Sequence, residues 1–148
     1  MNAIVKEAVE TARFTKIGAA GEVLPASASE WDAVLDSRTG LMWAVRPIEV
    51  DDGEESTIQA AVKSCAAAGF TDWQAPDIDQ LETIRDRTRR NPAIDTDFFP
   101  DTPSDWFWST TPLARSSGYA WVVSFSYGYS GWYGRGSGGF VRAVRVGQ

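Results

Sequence analysis

The sequence contains no histidine and only one cysteine, and these absences exclude several kinds of active site. Without histidine the chain lacks the commonest general base and metal ligand, so neither a Ser-His-Asp nor a Cys-His catalytic arrangement is available within it. The single Cys65 excludes an intrachain disulfide and a cysteine-rich zinc site. Because Cys65 lies among alanines in a predicted helix, we interpret it as a buried packing thiol.

Long apolar runs and an excess of positive charge are also missing. No apolar run approaches the roughly 20 residues of a membrane-spanning helix, so membrane insertion is not expected. The formal net charge of −6 argues against non-specific binding to nucleic acid. Residues 1–13 are predicted to form a short helix or N-terminal arm. This arm contains acidic residues and lacks the apolar core of a signal peptide, so export by that route is not expected and the localisation stays open.

The composition is typical of a compact globular protein. A length of 148 residues suits one domain, and hydrophobic residues make up 43% of the chain, including seven tryptophans and seven phenylalanines. No internal repeat or domain boundary is visible. We therefore predict a single domain over residues 1–148.

Sequence patterns predict both helices and strands, and thus an α+β protein. Two apolar runs flank the turn 36–40 and predict a β-hairpin over residues 33–45. One helix is predicted from a Ser56 cap to about Ala68, and a second from an Asp77 cap to about Arg87. Further strands are predicted at residues 14–23 (as a pair), 106–110, 120–125 and 139–146.

The acidic stretch 49–55 is the candidate for a metal site. Carboxylate oxygens suit calcium, but the stretch lacks the alternating spacing and the distal glutamate of an EF-hand loop. We interpret it as a solvated loop before a helix, where acidic side chains complement the helix dipole. No cofactor is expected, and calcium remains an alternative without a recognised motif.

The most unusual feature is the segment 119–139, which contains all four tyrosines of the chain together with many serines and glycines. These residue types are typical of antibody binding surfaces, where tyrosine supplies rigid contact area and serine and glycine adapt around it. Period-two alternation predicts that Trp121, Val123 and Phe125 face the core. Beyond Gly128 the strand pattern breaks, so the aromatic residues there are expected to form an exposed patch of the kind that marks interaction sites.

Four sequence blocks, in this order, resemble one bacterial and phage domain family. They are DSRTGLMW (36–43), GFTDWQAP (69–76), NPAIDTDFFP with WFWSTTP (91–100 and 106–112), and AWVVSFSYG with FVRAVR (120–128 and 140–145). Over residues 33–146 the chain resembles the C-terminal domain of the Legionella collagen-like adhesin and its relatives.

This resemblance implies a C-type lectin-like fold, with two helices packed on small, mostly antiparallel sheets. It implies recognition of a protein or glycan on a cell surface, with sulfated glycans as the targets of the adhesin, and homo-oligomerisation, as a trimer in relatives. The chain departs from the family pattern at Gln74 and Ala75, where Arg-Leu is common. The family varies most between Gly128 and Phe140, so no specific ligand carries over.

The lectin-like group also includes the variable proteins of diversity-generating retroelements. In those systems miscopied adenines convert asparagine codons into codons for Ser, Tyr, Gly and others, but never Trp. The similarity implies that residues 116–139 are a diversified binding region and that Trp132 and Arg135 are fixed. The implied ligand-binding residues are Ser124, Ser126, Tyr127, Tyr129, Ser130, Tyr133, Ser137, Gly138 and Gly139.

Three other interpretations stay open at this point. The segment 116–139 is an ordinary glycine-rich hairpin of the family, or the domain binds sulfated glycans without diversification, through the arginines of residues 85–90 or through Arg135. A third interpretation is a glycosidase with Asp95 and Asp97 as paired carboxylates. Enzymatic activity is not expected, because related lectin-like enzymes use cysteines or metal sites that this sequence does not show.

Overall fold

A computed structural model describes residues 12–147, so residues 1–11 of the predicted N-terminal arm lie outside the described residues. The helices are α1 (Glu55–Lys63) and α2 (Ile78–Glu82), and a 3-10 turn at Ala67–Gly69 follows α1. The strands are β1 (Phe14–Ile17), β2 (Ala33–Asp36), β3 (Leu41–Ala44), β4 (Ile48–Val50), β5 (Trp106–Leu113), β6 (Ser116–Ser124), β7 (Tyr129–Gly134), β8 (Gly139–Val141) and β9 (Val144–Val146). None of the helices in this range is long and apolar enough to cross a membrane.

The strands form two sheets. The first has the order β1-β2-β3-β9 and is antiparallel throughout. The second has the order β4-β8-β5-β6-β7 and is mixed, because β5 and β8 run parallel while its other neighbours are antiparallel. Small sheets together with two helices agree with the predicted α+β class.

The predicted hairpin over residues 33–45 is confirmed. β2 and β3 pair antiparallel, with Ala33 opposite Ala44. Gly40 closes the turn at φ +76, a left-handed conformation that favours glycine, and its N–H donates to the Asp36 carbonyl at 2.8 Å. The Asp36 side chain is fully buried and receives two hydrogen bonds from Arg13, at 3.0 and 2.9 Å, which tie the start of β1 to the hairpin.

The first predicted helix is present but shorter than predicted. α1 begins after Glu54, which makes no side-chain cap, rather than after Ser56. It ends at Lys63 instead of Ala68, because the chain turns and Ala68 adopts a left-handed backbone at φ 57. The apolar face of α1 is nevertheless buried against the second sheet, so the element itself was predicted correctly.

The second helix has the predicted cap and a different end. Asp77 accepts a hydrogen bond from the Gln80 N–H at 2.7 Å, and the Gln80 side chain accepts one from the Asp77 N–H at 3.0 Å, which completes a capping box. The helix ends at Glu82 rather than Arg87. Beyond it the Asp86 N–H bonds the Ala93 carbonyl at 2.8 Å, so tertiary pairing replaces the helical bond.

Two strand predictions are corrected. The predicted pair at residues 14–23 yields β1 alone, which pairs with β2, plus one bridge between Ile17 and Val23. The single strand predicted at residues 139–146 is divided into β8 and β9, which belong to different sheets. The chain crosses between the sheets at Arg142.

Arg142 fastens this crossover from inside the protein. Its guanidinium is fully buried and donates to the carbonyls of Ala44 and Val45 and to the Thr102 hydroxyl. Burial lowers the pKa of Arg142 to about 9, which still leaves it charged at neutral pH. Since Ala44 ends β3 of the first sheet and Val45 follows it, Arg142 joins the two sheets through backbone carbonyls instead of an ion pair.

β6 lies between two apolar clusters, so both of its faces are covered over much of its length. Ala120 and Val122 pack into one cluster, whereas Val123 and the adjoining Phe125 pack into the other. The prediction of a single core face is therefore corrected. Trp121, which shares a face with Val123, is only half-buried and lies at the margin of the core.

Candidate ligand-binding surface

The most exposed aromatic side chains of the described residues lie together on one hairpin. The exposed fractions are 44% for Tyr119, 69% for Tyr127, 47% for Tyr129 and 50% for Trp132. Every other tyrosine, tryptophan and phenylalanine within residues 12–147 is more buried than these. We call residues 116–134, which comprise β6, β7 and the turn between them, the β6–β7 hairpin.

The part of this hairpin beyond Gly128 is a regular strand, contrary to the predicted break in the strand pattern. β7 pairs with β6 along its whole length, from Ser124 opposite Tyr129 to Tyr119 opposite Gly134. Backbone pairing with β6 orders this segment, and Tyr133 adds packing against the core, so the strand forms with little apolar burial. The turn needs glycine at residue 128, because φ is +79 there.

The hairpin presents aromatic groups on both of its faces. Successive side chains along β7 point to opposite faces of the sheet, and residues directly opposite each other on β6 and β7 share a face. On one face Trp121 and Trp132 meet edge to face, with ring centroids 5.3 Å apart. On the other face Tyr133 stacks on Trp106 at 4.6 Å, and the adjacent Tyr129 raises the pKa of Tyr133. Trp106 and Trp121 were not among the predicted ligand-binding residues. Their places beside Trp132 and Tyr133 depend on the pairing register of the strands, which the sequence alone does not give.

Three of the predicted ligand-binding positions are closely packed against neighbouring residues. Ser124 is buried, so its side chain is poorly placed to contact a ligand. At Gly139 a Cβ atom would lie 2.7 Å from Trp106 Nε1, and at Gly138 it would lie 3.2 Å from the Val50 carbonyl oxygen. The two glycines allow close packing against β5 and β4, so the structure gives them a scaffold role.

A comparison with protein-family models matches the Lcl C-terminal domain over residues 32–145. The chain belongs to the Lcl C-terminal domain family. This confirms the resemblance to the Legionella collagen-like adhesin that the four sequence blocks indicate. A search of curated proteins found no match.

The sequence blocks that carry the family resemblance are scaffold in this Lcl domain. Trp43 is fully buried, and the Trp73 indole donates to the Ala67 carbonyl at 3.1 Å. Arg145 Nε donates to Asp72 at 2.6 Å, and this hydrogen bond holds the pKa of Asp72 below its ordinary value. The family pattern thus specifies the framework, and β7 of the β6–β7 hairpin lies between its last two sequence blocks, 120–128 and 140–145.

The serines and Tyr133 of the predicted set are accessible only in part. Ser126 donates to Asn91 Oδ1 at 3.2 Å, and the Ser130 hydroxyl donates to the Glu82 carboxylate. Ser137 lies in the turn after β7, partly exposed. Within the predicted set, Tyr127 and Tyr129 are therefore the side chains that the Lcl domain offers most openly to a ligand.

Arg135 is buried and holds the hairpin to the rest of the Lcl domain. Its Nε donates to the Ser117 carbonyl at 2.7 Å, and its Nη1 donates to the Gly53 carbonyl at 2.9 Å. Because it is buried and its Nε and Nη1 donate to backbone carbonyls, Arg135 is a structural residue and a poor candidate for binding a sulfate group. Gly53 lies in the acidic loop before α1, so the Arg135 hydrogen bond also connects this loop to the hairpin.

The arginines of residues 85–90 differ in their availability. Arg85 donates to the Gly128 carbonyl at 2.9 Å, and Arg89 is 3.1 Å from the Asp86 carboxylate. Arg87 and Arg90 are exposed and form no hydrogen bond or ion pair within the described part of the chain. These two guanidinium groups are free to bind an anionic ligand.

The carboxylates of the acidic loop before α1 bond groups of the loop and of the helix start, as in the interpretation without a metal ion. Asp52 accepts a hydrogen bond from the Glu54 N–H at 2.9 Å. A side-chain hydrogen bond from Thr57, followed by this backbone bond, lowers the pKa of Asp52. Across residues 12–147, no three aspartate, glutamate or cysteine side chains converge in a way that could hold a metal ion.

Proposed function

We propose that this Lcl-family domain is a binding module of the C-type lectin-like type, which recognises a protein or glycan on a cell surface through the β6–β7 hairpin. We further propose that the hairpin and the turn after it are the variable region of a diversity-generating retroelement protein. The observation that carries the proposal is the grouping of all highly exposed aromatic side chains of the described residues on this hairpin.

The physical properties of the hairpin suit binding. Aromatic side chains bury a large area at a low cost in side-chain entropy and dominate measured binding hot spots. Residues 116–134 contain no charged side chain, so a partner can cover the hairpin without removing charges from water. The hairpin is anchored at both ends, by Arg135 and by the Arg85 bond to Gly128, which keeps the aromatic rings in place before binding.

Space around individual backbone positions supports diversification of part of the region. A Cβ atom at Gly136 would meet nothing within 4 Å, and at Gly131 its nearest contact would be 3.9 Å away. Together with the exposed Tyr127 and Tyr129, these positions accept other side chains without repacking the core. Gly128 does not, because a Cβ there would lie 3.0 Å from the Ala93 Cβ.

Sequencing the same locus in sister isolates tests the diversification. We expect substitutions at Tyr127, Tyr129 and Ser137, with Ser124 and Gly139 invariant. We also expect a nearby imperfect repeat of the hairpin codons, differing only at adenines, beside a reverse-transcriptase gene. Variation spread evenly over the chain, or a locus without such a repeat, would refute the diversification while leaving a binding role to be measured separately.

A second candidate function is binding of sulfated glycans without diversification. The free guanidinium groups of Arg87 and Arg90 favour it, and they lie near the hairpin turn, because the Asn91 N–H donates to the Ser126 carbonyl at 2.8 Å. Retention on a heparin column that falls with salt, and that is lost in an Arg87→Ser/Arg90→Ser variant, would support it. Tyr127→Ser is the matched control on the neighbouring turn. No retention of the wild type would reject this candidate.

A further inference from the structure

β7 is the last strand of the five-stranded sheet, and its outer edge has no partner strand within residues 12–147. The Arg135 N–H donates to the Gly118 carbonyl at 3.0 Å, and hydrogen-bonded pairs alternate along an antiparallel ladder. By this alternation, Ser130 and Trp132 make no backbone hydrogen bonds with β6. Their N–H and C=O groups point outward, away from the sheet.

The position of Trp121 confirms this alternation independently. Trp121 is directly opposite Trp132, and its carbonyl accepts a hydrogen bond from the Ser109 hydroxyl at 2.7 Å. Because Ser109 belongs to β5, the backbone groups of Trp121 point toward β5 and away from β7. The same phase therefore leaves the backbone of Trp132 unpaired on the outer side.

The outer edge of β7 also lacks the features that keep sheet edges from pairing. Such edges usually carry a lysine, a proline or a β-bulge. β7 has the sequence Tyr-Ser-Gly-Trp-Tyr-Gly and pairs with β6 without a shift in register. Among the residues that the structure describes, the edge is thus regular, uncharged and open to another strand.

We propose that β7 pairs with β7 of a second copy of this chain, antiparallel and centred on Gly131, so that two five-stranded sheets join into one. In this register Ser130 lies opposite Trp132 of the second copy, and each such pair exchanges two N–H···O bonds. Every outward backbone group of Ser130 and Trp132 then has a partner. The proposal concerns the chain with Tyr129 and Gly131 as they stand in this sequence. It shares these two residues with the proposed ligand-binding surface, and its tests measure assembly rather than ligand binding.

A second copy suits this edge because the strand is nearly symmetric about Gly131. Antiparallel pairing places Tyr129 opposite Tyr133 of the second copy on both sides of the two-fold axis, which forms two aromatic cross-strand pairs. Gly131 lies opposite Gly131 at the axis, where the absence of side chains leaves space for the tyrosines. Each chain carries a net charge of −6, so an uncharged edge is where two copies repel each other least.

Cysteine crosslinking tests both the contact and its register. In a Cys65→Ser background, Gly131→Cys places two thiols at the axis, on a non-hydrogen-bonded pair with Cα atoms about 4.5 Å apart, within the range of a disulfide. We expect Gly131→Cys to form an intermolecular disulfide at least tenfold faster than Gly136→Cys, an exposed control in the next turn. Equal rates for the two variants would overturn the proposal.

Sedimentation analysis of the full chain tests the contact without a crosslink. We expect a monomer–dimer equilibrium that shifts to the dimer with added salt, since salt screens the repulsion between the two chains. Ser130→Pro removes one outward N–H that β6 does not use, and should weaken the dimer at least tenfold while circular dichroism stays unchanged. If Ser130→Pro does not fold, Trp132→Lys is the second variant. It places a positive charge on the edge of β7 and should also weaken the dimer at least tenfold.

Three outcomes would overturn the proposal. The first is a wild-type chain that stays monomeric across the concentration series. The second is a trimer or other assembly in which Gly131→Cys forms no crosslink, which would place the contact elsewhere. The third is a dimer that neither variant weakens. Pairing of β7 with a strand of a different protein would appear as the first outcome.

Discussion

Replacing Gly139 by serine tests where the proposed variable region can end. Gly139 begins β8, and a Cβ atom there would lie 2.7 Å from Trp106 Nε1 and 3.1 Å from Trp108 Nε1. Trp108 is fully buried, and Trp106 is held by its stacking on Tyr133. Neither indole is the flexible end of a side chain, so Gly139→Ser must displace one of the two rings.

The expected loss of stability follows from these contacts. Overpacking a filled site costs about 1–3 kcal/mol, and disturbing an aromatic pair such as Trp106–Tyr133 adds about 0.5–1.5 kcal/mol. We therefore expect Gly139→Ser to lower the free energy of unfolding by about 1.5–4.5 kcal/mol. This is a large part of the roughly 5–15 kcal/mol that stabilises a domain of ordinary size.

Urea denaturation followed by tryptophan fluorescence measures the effect. The matched control is Gly136→Ser, three residues earlier, where a Cβ atom meets nothing within 4 Å. The control should change the free energy of unfolding by no more than about 0.5 kcal/mol. If the two variants are equally stable, packing against the indoles does not require glycine at residue 139. Residue 139 would then again be a candidate variable position.

Three further substitutions test the scaffold. Arg142→Met should cost at least about 3 kcal/mol of unfolding free energy in urea, because it leaves several buried acceptors without a donor. Asp72→Asn should lower Tm at neutral pH and match the wild type in strong acid: the bond from Arg145 lowers the folded-state pKa of Asp72, so its stabilisation is complete above the ordinary value of 3.8 and is lost as the pH falls through the lower folded-state value. Asp77→Ala should cost about 1 kcal/mol and speed amide hydrogen exchange at Gln80, because the capping box is lost.

Features set by neighbouring residues could be predicted from the sequence. The turn at Gly40 depends on a left-handed backbone that glycine favours, and the start of α2 depends on Asp77 and the glutamine three residues later. Both signals are complete within a few residues. The family resemblance was equally accessible, because its blocks contain turn, cap and core residues in a fixed order.

Features set by distant pairing could not be predicted in this way. Residues 139–146 alternate like one strand, and alternation does not indicate that the chain changes sheets at Arg142, whose acceptors lie far away in the sequence. The length of α2 depends on the bond between Asp86 and Ala93, which competes with the next helical turn. The half-buried position of Trp121 likewise depends on how far the second core cluster extends beneath β6.

β7 shows why the composition of the segment 119–139 did not predict its structure. Glycine and serine do not form a buried strand, but an edge strand needs only one neighbour, and β6 supplies it. The structure separates positions that tolerate other side chains from positions that do not. At Gly128 and Gly139 an added Cβ atom would contact neighbouring side chains, whereas at Gly136 it would meet nothing within 4 Å, and the side chains of Tyr127 and Tyr129 are exposed. A template that diversifies this region must therefore already encode glycine at the two fixed positions and asparagine at free ones. If asparagine codons were spread evenly over the region, substitutions at Gly128 and Gly139 would disrupt the hairpin.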